Sequence, residues 1–270
     1  MNKYEKFFYA EQQAGLYDKT IELAVPEYHL IHETLLEFLM YYFGIPYGKK
    51  IEDIEGTFID IGAGTGTESI SLLKKFPKLK ILAIDFCRPM KLEFEKNYEK
   101  TFGKNNEKRY NYIVEDIFSE KCDFSELKKF LPSTEKAFAG VISAYCIHHF
   151  TKEEKQSVLK KMLSFIPTGG ILINLDLFNY ESSIFSKFAH DFDLNYIKNQ
   201  FKNPDKKFIE SRKIDIKERL KLGEMWIEHM NHANILGSIE EQSHQLKELG
   251  VSEVECIYKY FQQGLICGIK

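Results

Sequence analysis

A short apolar run followed by three closely spaced glycines constrains this chain more than any other feature. The stretch reads Thr57-Phe58-Ile59-Asp60-Ile61-Gly62-Ala63-Gly64-Thr65-Gly66-Thr67. The apolar part predicts a buried β-strand, and the residues after the last glycine predict the start of a helix. Glycine tolerates positive φ and has no Cβ, so such a turn lets bare backbone approach a ligand closely. The sequence therefore predicts a strand–turn–helix unit that cradles a bound molecule.

Apolar strands and amphipathic helices alternate on both sides of this unit. The predicted strands are Thr57–Ile61, Lys80–Asp85, Tyr110–Val114, Ala137–Tyr145, Ile171–Leu175, Val251–Tyr260 and Gly264–Ile269. The predicted helices are Tyr28–Phe43, Thr67–Phe76, Pro89–Thr101, Lys152–Phe165 and Ile239–Leu249. Continuous apolar strands separated by helices indicate an α/β fold, with a largely parallel sheet covered on both faces.

The alternation divides the chain into three predicted parts. Residues 1–50 form an N-terminal helical cap, and residues 51–178 together with 238–270 form the α/β core. Residues 179–237 are long, charged and helical in character, which breaks the rhythm of strands. We therefore interpret 179–237 as a helical lid inserted after the fifth strand.

Composition narrows the class of protein. The chain has 270 residues, 44% of them hydrophobic, and a net charge of −3, so a uniformly basic nucleic-acid binder is excluded. Its five cysteines form no CxxC pair, which disfavours a zinc or thioredoxin-like motif. The longest apolar stretch, near Leu35–Tyr47, is interrupted by Glu37, Gly44 and Pro46. We expect a soluble cytoplasmic protein that neither spans nor binds a membrane.

Acidic residues close three of the predicted strands. Asp60 precedes the glycine turn, Asp85 ends the second strand and Asp116 follows the third. The spacing Gly62, Gly64, Gly66 places the third glycine one residue earlier than the dinucleotide fingerprint requires. Carboxylates at neighbouring strand ends suit a ligand with ammonium and sulfonium charges better than a pyrophosphate. A lone acidic residue at a strand end is more often a helix cap, so the ordered set carries this prediction.

The ordered motifs resemble class I S-adenosylmethionine-dependent methyltransferases. Phe58–Gly66 is similar to the first motif of that family, Ile84-Asp85-Phe86 to its second-strand acid, and Glu115-Asp116-Ile117 to its adenine-side motif. Gly140–Tyr145 and Thr168–Leu172 match the fourth strand and the turn into the fifth. The resemblance implies a Rossmann-like, seven-stranded sheet whose last strand is antiparallel, with S-adenosyl-L-methionine as cofactor.

The resemblance also implies roles for individual residues. The backbone of Gly62 and Gly64 would face the methionine part, and Asp60 would lie near its ammonium group. Asp85 would bind the ribose, and Asp116 with the Ile117 backbone would meet the adenine. Phe86 and Met90 would line the adenine pocket, although core packing explains both equally well. The full set of expected cofactor-binding residues is Asp60, Gly62, Ala63, Gly64, Asp85, Phe86, Met90, Glu115, Asp116, Ile117 and Ser143.

The segment after the fourth strand bears on the acceptor. It reads Ser143-Ala144-Tyr145-Cys146-Ile147-His148-His149-Phe150, which differs from the motifs of enzymes that methylate DNA bases. His148 and His149 are the expected catalytic residues, because histidine can act as a general base near neutral pH. The alternative is a structural role in the loop. No third ligand stands at a telling spacing from the pair, so we expect no metal.

The predicted lid adds two candidate features. Residues 198–221 carry nine basic and four acidic side chains, a pattern that fits either a solvated helical face or a surface for an anionic acceptor or RNA. The segment Trp226–His232 holds the only tryptophan and is a candidate acceptor pocket. The N-terminal aromatic residues Phe7, Phe8, Tyr9 and Tyr17 are candidates to close over the cofactor.

The predicted function is S-adenosylmethionine-dependent methylation of oxygen or nitrogen on a small molecule or small peptide. One alternative is an RNA-modifying (tRNA) methyltransferase guided by the basic segment. Another is a relative of the enzyme that makes carboxy-S-adenosylmethionine, since Ala24–Tyr28 and Leu246–Lys270 are similar to its segments. A non-catalytic cofactor-binding module comes last, and the oligomeric state has no signal in the sequence.

Overall fold

A seven-stranded sheet forms the centre of the computed structural model, which describes residues 14–44, 48, 50–117, 138–204 and 215–270. Its strand order is β3-β2-β1-β4-β5-β7-β6. The pairs among β1 to β5 are parallel, and β7 is antiparallel to both β5 and β6. The strands are β1 (Gly56–Ile61), β2 (Leu79–Asp85), β3 (Tyr110–Val114), β4 (Phe138–Ala144), β5 (Ile171–Leu177), β6 (Glu253–Tyr260) and β7 (Gln263–Ile269). The predicted Rossmann-like sheet with an antiparallel last strand is confirmed.

Eight α-helices lie in the described part of the chain. They are α1 (Ala14–Ala24), α2 (Tyr28–Gly44), α3 (Thr67–Lys75), α4 (Arg88–Phe102), α5 (Lys152–Phe165), α6 (Ser183–Lys202), α7 (Ile216–His232) and α8 (Ile239–Glu248). Local sequence explains their starts: Thr151 and Glu154 form a capping box at α5, and the Ser238 side chain accepts a hydrogen bond from the amide of Glu241 at α8. Most element boundaries lie within two residues of the prediction.

Side chains on the two faces of the sheet enter separate cores. On β1, Phe58 packs with residues of α2, α3 and α4, whereas Ile59 and Ile61 pack with residues of α5 and α8. Successive side chains of a strand point to opposite faces, so a strand apolar throughout must be covered on both. The predicted helical layers on both sides are thereby confirmed.

A third core joins the N-terminal helices to the predicted lid. Ile21 of α1, Ile197 of α6 and Trp226 of α7 are buried in one cluster with Met90 of α4. These helices cover the carboxyl ends of the parallel strands. Whether residues 1–50 and 179–237 are separate domains stays a prediction, and residues 1–13 and 205–214 lie outside the described part.

Strands β1 and β4 lie side by side at the centre of the sheet. β1 pairs with β2 on one side and with β4 on the other, so the strand order reverses there. In open α/β sheets, ligands bind in the crevice at such a reversal. Within the described ranges, no helix combines the length and the apolar character needed to cross a bilayer.

Candidate cofactor and acceptor site

The glycine turn after β1 is shaped by positive φ angles. They are +72° at Gly62, +50° at Gly64 and +90° at Gly66. A Cβ on Gly62 would collide with the side chain of Cys146, and one on Gly66 would collide with the Phe94 ring. A Cβ on Gly64 would meet nothing nearer than a backbone oxygen at 3.8 Å. Gly62 and Gly66 therefore let the side chains of Cys146 and Phe94 pack directly against the turn. Gly64 leaves its backbone open towards the crevice.

A cavity of about 330 Å³ opens directly above this turn. One half is lined by the ends of β2 and β3 and by α4, and the other by the α1, α2 and α7 helices and the segment after β4. The second half is rich in rings: Tyr17, Tyr28, Tyr145, His148, His149, Trp226 and His229. The volume lies in the range of small-molecule sites.

Asp85 stands at the carboxyl end of β2 and is held by backbone. Its two carboxylate oxygens accept hydrogen bonds from the amides of Gly64 (2.9 Å) and Cys87 (2.7 Å). Burial raises the pKa of Asp85 to about 6, against the lowering effect of these two amides. Each oxygen keeps a second lone pair, so the carboxylate can still accept two hydroxyl groups from a ligand.

The other residues expected on the adenine side line the same half of the cavity. They are Phe86, Met90, Glu115, Asp116 and Ile117. Met90 and Ile117 are buried, whereas Phe86 is 38% exposed, as expected of an apolar ring that a ligand would cover. Convergence of the carboxyl ends of parallel strands made Asp116 predictable. The positions of Phe86, Met90 and Ile117 were expected from the family resemblance.

Asp60 and Ser143 were expected at the cofactor but do not line the cavity. Asp60 shares the face of β1 that α3 covers, is 1% exposed, and accepts a hydrogen bond from the Ser69 hydroxyl at 2.6 Å. Burial and the charge of Glu68 raise its pKa to about 8, so it is a poor partner for an ammonium group at neutral pH. The Ser143 hydroxyl donates to the backbone oxygen of Ile61 at 2.9 Å. The structure thus gives both side chains a role in supporting the turn.

The two predicted catalytic histidines differ in their hydrogen bonds. His148 Nδ1 bonds to a carboxylate oxygen of Asp176, near the end of β5, and its backbone amide donates to the other oxygen at 2.9 Å. The Nε2 of His148 is buried, lacks a hydrogen-bond partner among the described residues, and lies in the cavity wall. His149 Nδ1 bonds to the backbone oxygen of Ala233 at 3.1 Å.

His229 is a site residue that sequence reasoning did not assign individually. It lies on α7 and stacks edge-on against His149, with ring centroids 5.2 Å apart. Burial, with a smaller electrostatic contribution from His148, lowers the pKa of His229 to about 3, so its ring is neutral. Nothing local in the sequence links it to the pair after β4. Only the predicted acceptor patch Trp226–His232 signalled that its segment faces the cavity.

Electrostatically, the described lining carries no lysine or arginine. It holds the carboxylates of Glu68, Asp85, Glu115, Asp116 and Glu154 instead. In the basic segment, Arg219 is buried and donates to the backbone oxygens of Phe201 and Lys202. That guanidinium caps the end of α6 and is not available to a ligand. The cavity therefore favours cationic or neutral ligands over anions.

Helix α1 closes the cavity from the N-terminal side. Its Asp18 accepts hydrogen bonds from the Thr65 hydroxyl in the turn and from the Asn97 amide of α4, the latter at 2.7 Å. Tyr17, next to it, lines the cavity and lies 5.8 Å from the Trp226 ring. Tyr17 therefore lies where it could close over the cofactor, which stays a prediction. The other candidates for this role, Phe7, Phe8 and Tyr9, lie outside the described residues.

Comparisons with known proteins agree with this architecture. A family model described as a methyltransferase domain matches residues 59–172. A protein of Methanococcus maripaludis, described as an S-adenosyl-L-methionine-dependent methyltransferase, has a similar structure with a TM-score of 0.54 at 19% identity. The alignment covers 100% of this chain and 97% of that one.

Two curated relatives are similar in sequence. One is the carboxy-S-adenosyl-L-methionine synthase of Nautilia profundicola, 21% identical over 95% of this chain and 91% of its own length. The other is the malonyl-[acyl-carrier protein] O-methyltransferase of Xylella fastidiosa, 37% identical over 25% of this chain and 20% of its own. Several similar solved structures are longer, and this chain spans 55% to 60% of their length.

Proposed function

We propose that this chain, which belongs to the class I S-adenosylmethionine-dependent methyltransferases, methylates an uncharged or cationic small molecule at oxygen or nitrogen. The observation that carries the proposal is one cavity with two unlike halves. Its first half presents the glycine turn and strand-end carboxylates, and its second half presents aromatic rings and histidines. A donor and an acceptor can therefore meet in one enclosed space.

The residues present fit an adenosyl cofactor in the first half. Asp85 keeps spare lone pairs for ribose hydroxyls, and the Gly64 backbone faces open space. Phe86 and Met90 provide apolar surface beside Asp116, as an adenine ring requires. When bound, S-adenosylmethionine supplies a methyl group activated by its sulfonium charge.

The second half is proposed to hold the acceptor. Tyr17, Tyr28, Tyr145 and Trp226 offer flat apolar surfaces, which suit a small ring system or a short aliphatic amine. Without a described cation in the lining, a permanently anionic acceptor would be bound against carboxylates alone. A peptide acceptor would have to present a single side chain, because the cavity volume is about 330 Å³.

His148 is proposed as the group that takes the acceptor's proton. The Asp176 carboxylate holds the proton on Nδ1 and leaves the lone pair on Nε2, which is buried without a described hydrogen-bond partner on a residue that lines the cavity. A buried carboxylate also stabilises the imidazolium that forms during proton transfer. His149 donates to a backbone oxygen through Nδ1 and is proposed to shape the wall beside His148.

The two alternatives find less support in the described residues. A carboxylated cofactor would add an anion, and the described lining offers it no lysine or arginine. That argues against the activity named for the Nautilia profundicola relative. For RNA, one of the basic residues of 198–221 is buried at a helix end, while 205–214 lies outside the described residues.

Calorimetry with the full chain tests the cofactor half. We expect S-adenosylmethionine and S-adenosylhomocysteine to bind, and Asp85→Ala to weaken both by roughly 1–3 kcal/mol, the cost of losing a charged hydrogen-bond partner. Asp191→Ala, at an exposed carboxylate on α6, is the matched control and should bind like the parent. Binding of NADH with no binding of either adenosyl ligand would refute the assignment.

Transfer of a radiolabelled methyl group to a panel of phenols and amines tests the acceptor half. His148→Gln should abolish transfer to any acceptor found and leave cofactor affinity unchanged, because the ring lies outside the adenosine half. Equal transfer by His148→Gln and the parent would remove His148 from the mechanism. Transfer only to tRNA would favour the RNA alternative.

A further inference from the structure

Three histidine rings converge where the β4 segment meets helix α7. One nitrogen from each of His148, His149 and His229 lies within 4.8 Å of the others, and all three side chains are buried. The His148 and His149 ring centroids are 3.9 Å apart. His229 is about eighty positions from His148 and His149 in the chain, so no spacing in the sequence could predict the cluster.

Hydrogen bonds fix which nitrogen carries the lone pair on two of these rings. A carbonyl oxygen can only accept, so His149 must donate to Ala233 through Nδ1–H and keeps its lone pair on Nε2. His148 donates through Nδ1 to the Asp176 carboxylate and likewise keeps its lone pair on Nε2. Carboxylate and backbone partners of this kind are the usual supports of metal-binding imidazoles.

We propose that His148, His149 and His229 form a binding site for a divalent transition metal of the Zn²⁺ type. Neutral imidazoles are ligands for zinc, copper, nickel and cobalt, and three protein ligands leave one tetrahedral position open. Here the open position faces the cavity, since all three rings line it. A ligand there would be an oxygen or nitrogen atom of a cavity-bound molecule, or water.

The geometry needs only side-chain adjustment. Metal–nitrogen bonds of about 2.1 Å in a tetrahedral site place nitrogens about 3.4 Å apart. The three nitrogens lie within 4.8 Å of one another, so no pair has to approach by more than about 1.4 Å. Rotation of the three side chains is the movement that would supply this.

The proposal goes beyond methyl transfer and does not depend on it. A metal at this site uses the Nε2 lone pair of His148, which is the lone pair proposed to accept a proton. The proton-accepting role proposed for His148 therefore belongs to the metal-free protein, and a bound metal would replace it.

The test is a titration of the full chain, free of any affinity tag, with Co²⁺ followed by visible absorption and with Zn²⁺ as competitor. We expect one equivalent to bind with ligand-field bands typical of a tetrahedral site. His229→Ala should weaken binding by roughly tenfold or more, since even supporting residues of metal sites contribute tenfold to a hundredfold. His232→Ala, an exposed histidine on the same helix, should bind like the parent.

His229→Gln repeats the test with a side chain of similar size, and far-UV circular dichroism with thermal unfolding checks that each variant is folded. Weak Co²⁺ binding by both His229 variants, folded like the parent, supports the site. Equal Co²⁺ affinity in the parent and both His229 variants would overturn it, and so would the absence of a tetrahedral spectrum in the parent.

Discussion

At the scale of single residues, the site depends on where backbone can come close to side chains. Gly62 illustrates this: its φ of +72° and the adjacent Cys146 side chain leave no room for a Cβ. The close approach holds the segment after β4 against the turn after β1. Those two segments carry the proposed base and the proposed cofactor cradle, so a single missing Cβ sets their separation.

Gly62→Ala should destabilise the fold more than an alanine at a glycine that also has a positive φ but has free space around it. Gly250, with a φ of +90° and no atom within 4 Å of a Cβ, is the matched site. We expect Gly250→Ala to cost about 1–2 kcal/mol from backbone strain. Gly62→Ala should add about 1–3 kcal/mol from overpacking. Urea unfolding measures both, and equal losses would contradict the proposed collision with Cys146.

Local sequence rules could predict the positions of some site residues but not of others. Asp85 and Asp116 could be placed from sequence because the ends of parallel strands converge at one edge. Asp60 could not, since strand alternation turns its side chain under α3, one residue away from the exposed turn. His229 reaches the site only through the packing of α7, which no local pattern encodes.

At the scale of elements, α1 links the cofactor cradle to the lid. Asp18 bonds to the turn, while Thr20 accepts a hydrogen bond from the Trp226 indole at 3.0 Å. One helix thus contacts both halves of the cavity. We expect its position to control how fast a bound ligand leaves.

Asp18→Ala should speed dissociation of the cofactor, because α1 loses its hydrogen bonds to Thr65 and Asn97. The expected increase is roughly fivefold to thirtyfold, corresponding to about 1–2 kcal/mol. Asp18→Asn keeps one acceptor oxygen and should show a smaller effect. Trp226, the only tryptophan, lines the cavity and can report displacement by stopped-flow fluorescence. Identical rates in all three proteins would show that α1 does not retain the ligand.

The elements of the core could be predicted almost completely, because their apolar periodicity is local. The lid was predicted as helical, but the role of its charges was not. Arg219 looked like part of a solvated basic face, yet its side chain lies buried against the carbonyl groups that end α6. Free carbonyls at a helix end attract such a donor only once α6 and α7 have packed together.

At the scale of the whole molecule, buried acids make stability depend on pH. Burial raises the pKa of Asp193 on α6 to about 7, against the charge of Lys259 and the Gln262 backbone, which lower it. The folded state therefore holds this proton more tightly than the unfolded chain, whose aspartate titrates near 3.9. Its contribution to stability falls as pH rises from about 4 to about 7 and is constant above that.

Asp193→Asn should remove this loss. The variant and the parent should be equally stable at about pH 3, where the carboxyl is largely protonated in both states. At pH 8 the variant should be more stable by roughly 2–4 kcal/mol, from a pKa difference of about three units. Asp191→Asn, two residues away and exposed, is the control. Thermal unfolding across pH gives the measurement, and a constant difference between pH 4 and pH 8 would contradict the assignment.

The end of the predicted lid is bonded to the segment that follows β4. The Ile235 amide donates to the His148 backbone oxygen at 2.7 Å, and His149 donates to Ala233, so the chain just past α7 is fastened beside the proposed base. Helix α1, by contrast, is held over the cavity by side-chain hydrogen bonds of Asp18 and Thr20. We therefore expect ligands to enter and leave the cavity beneath α1, and the histidines to lie at its closed side.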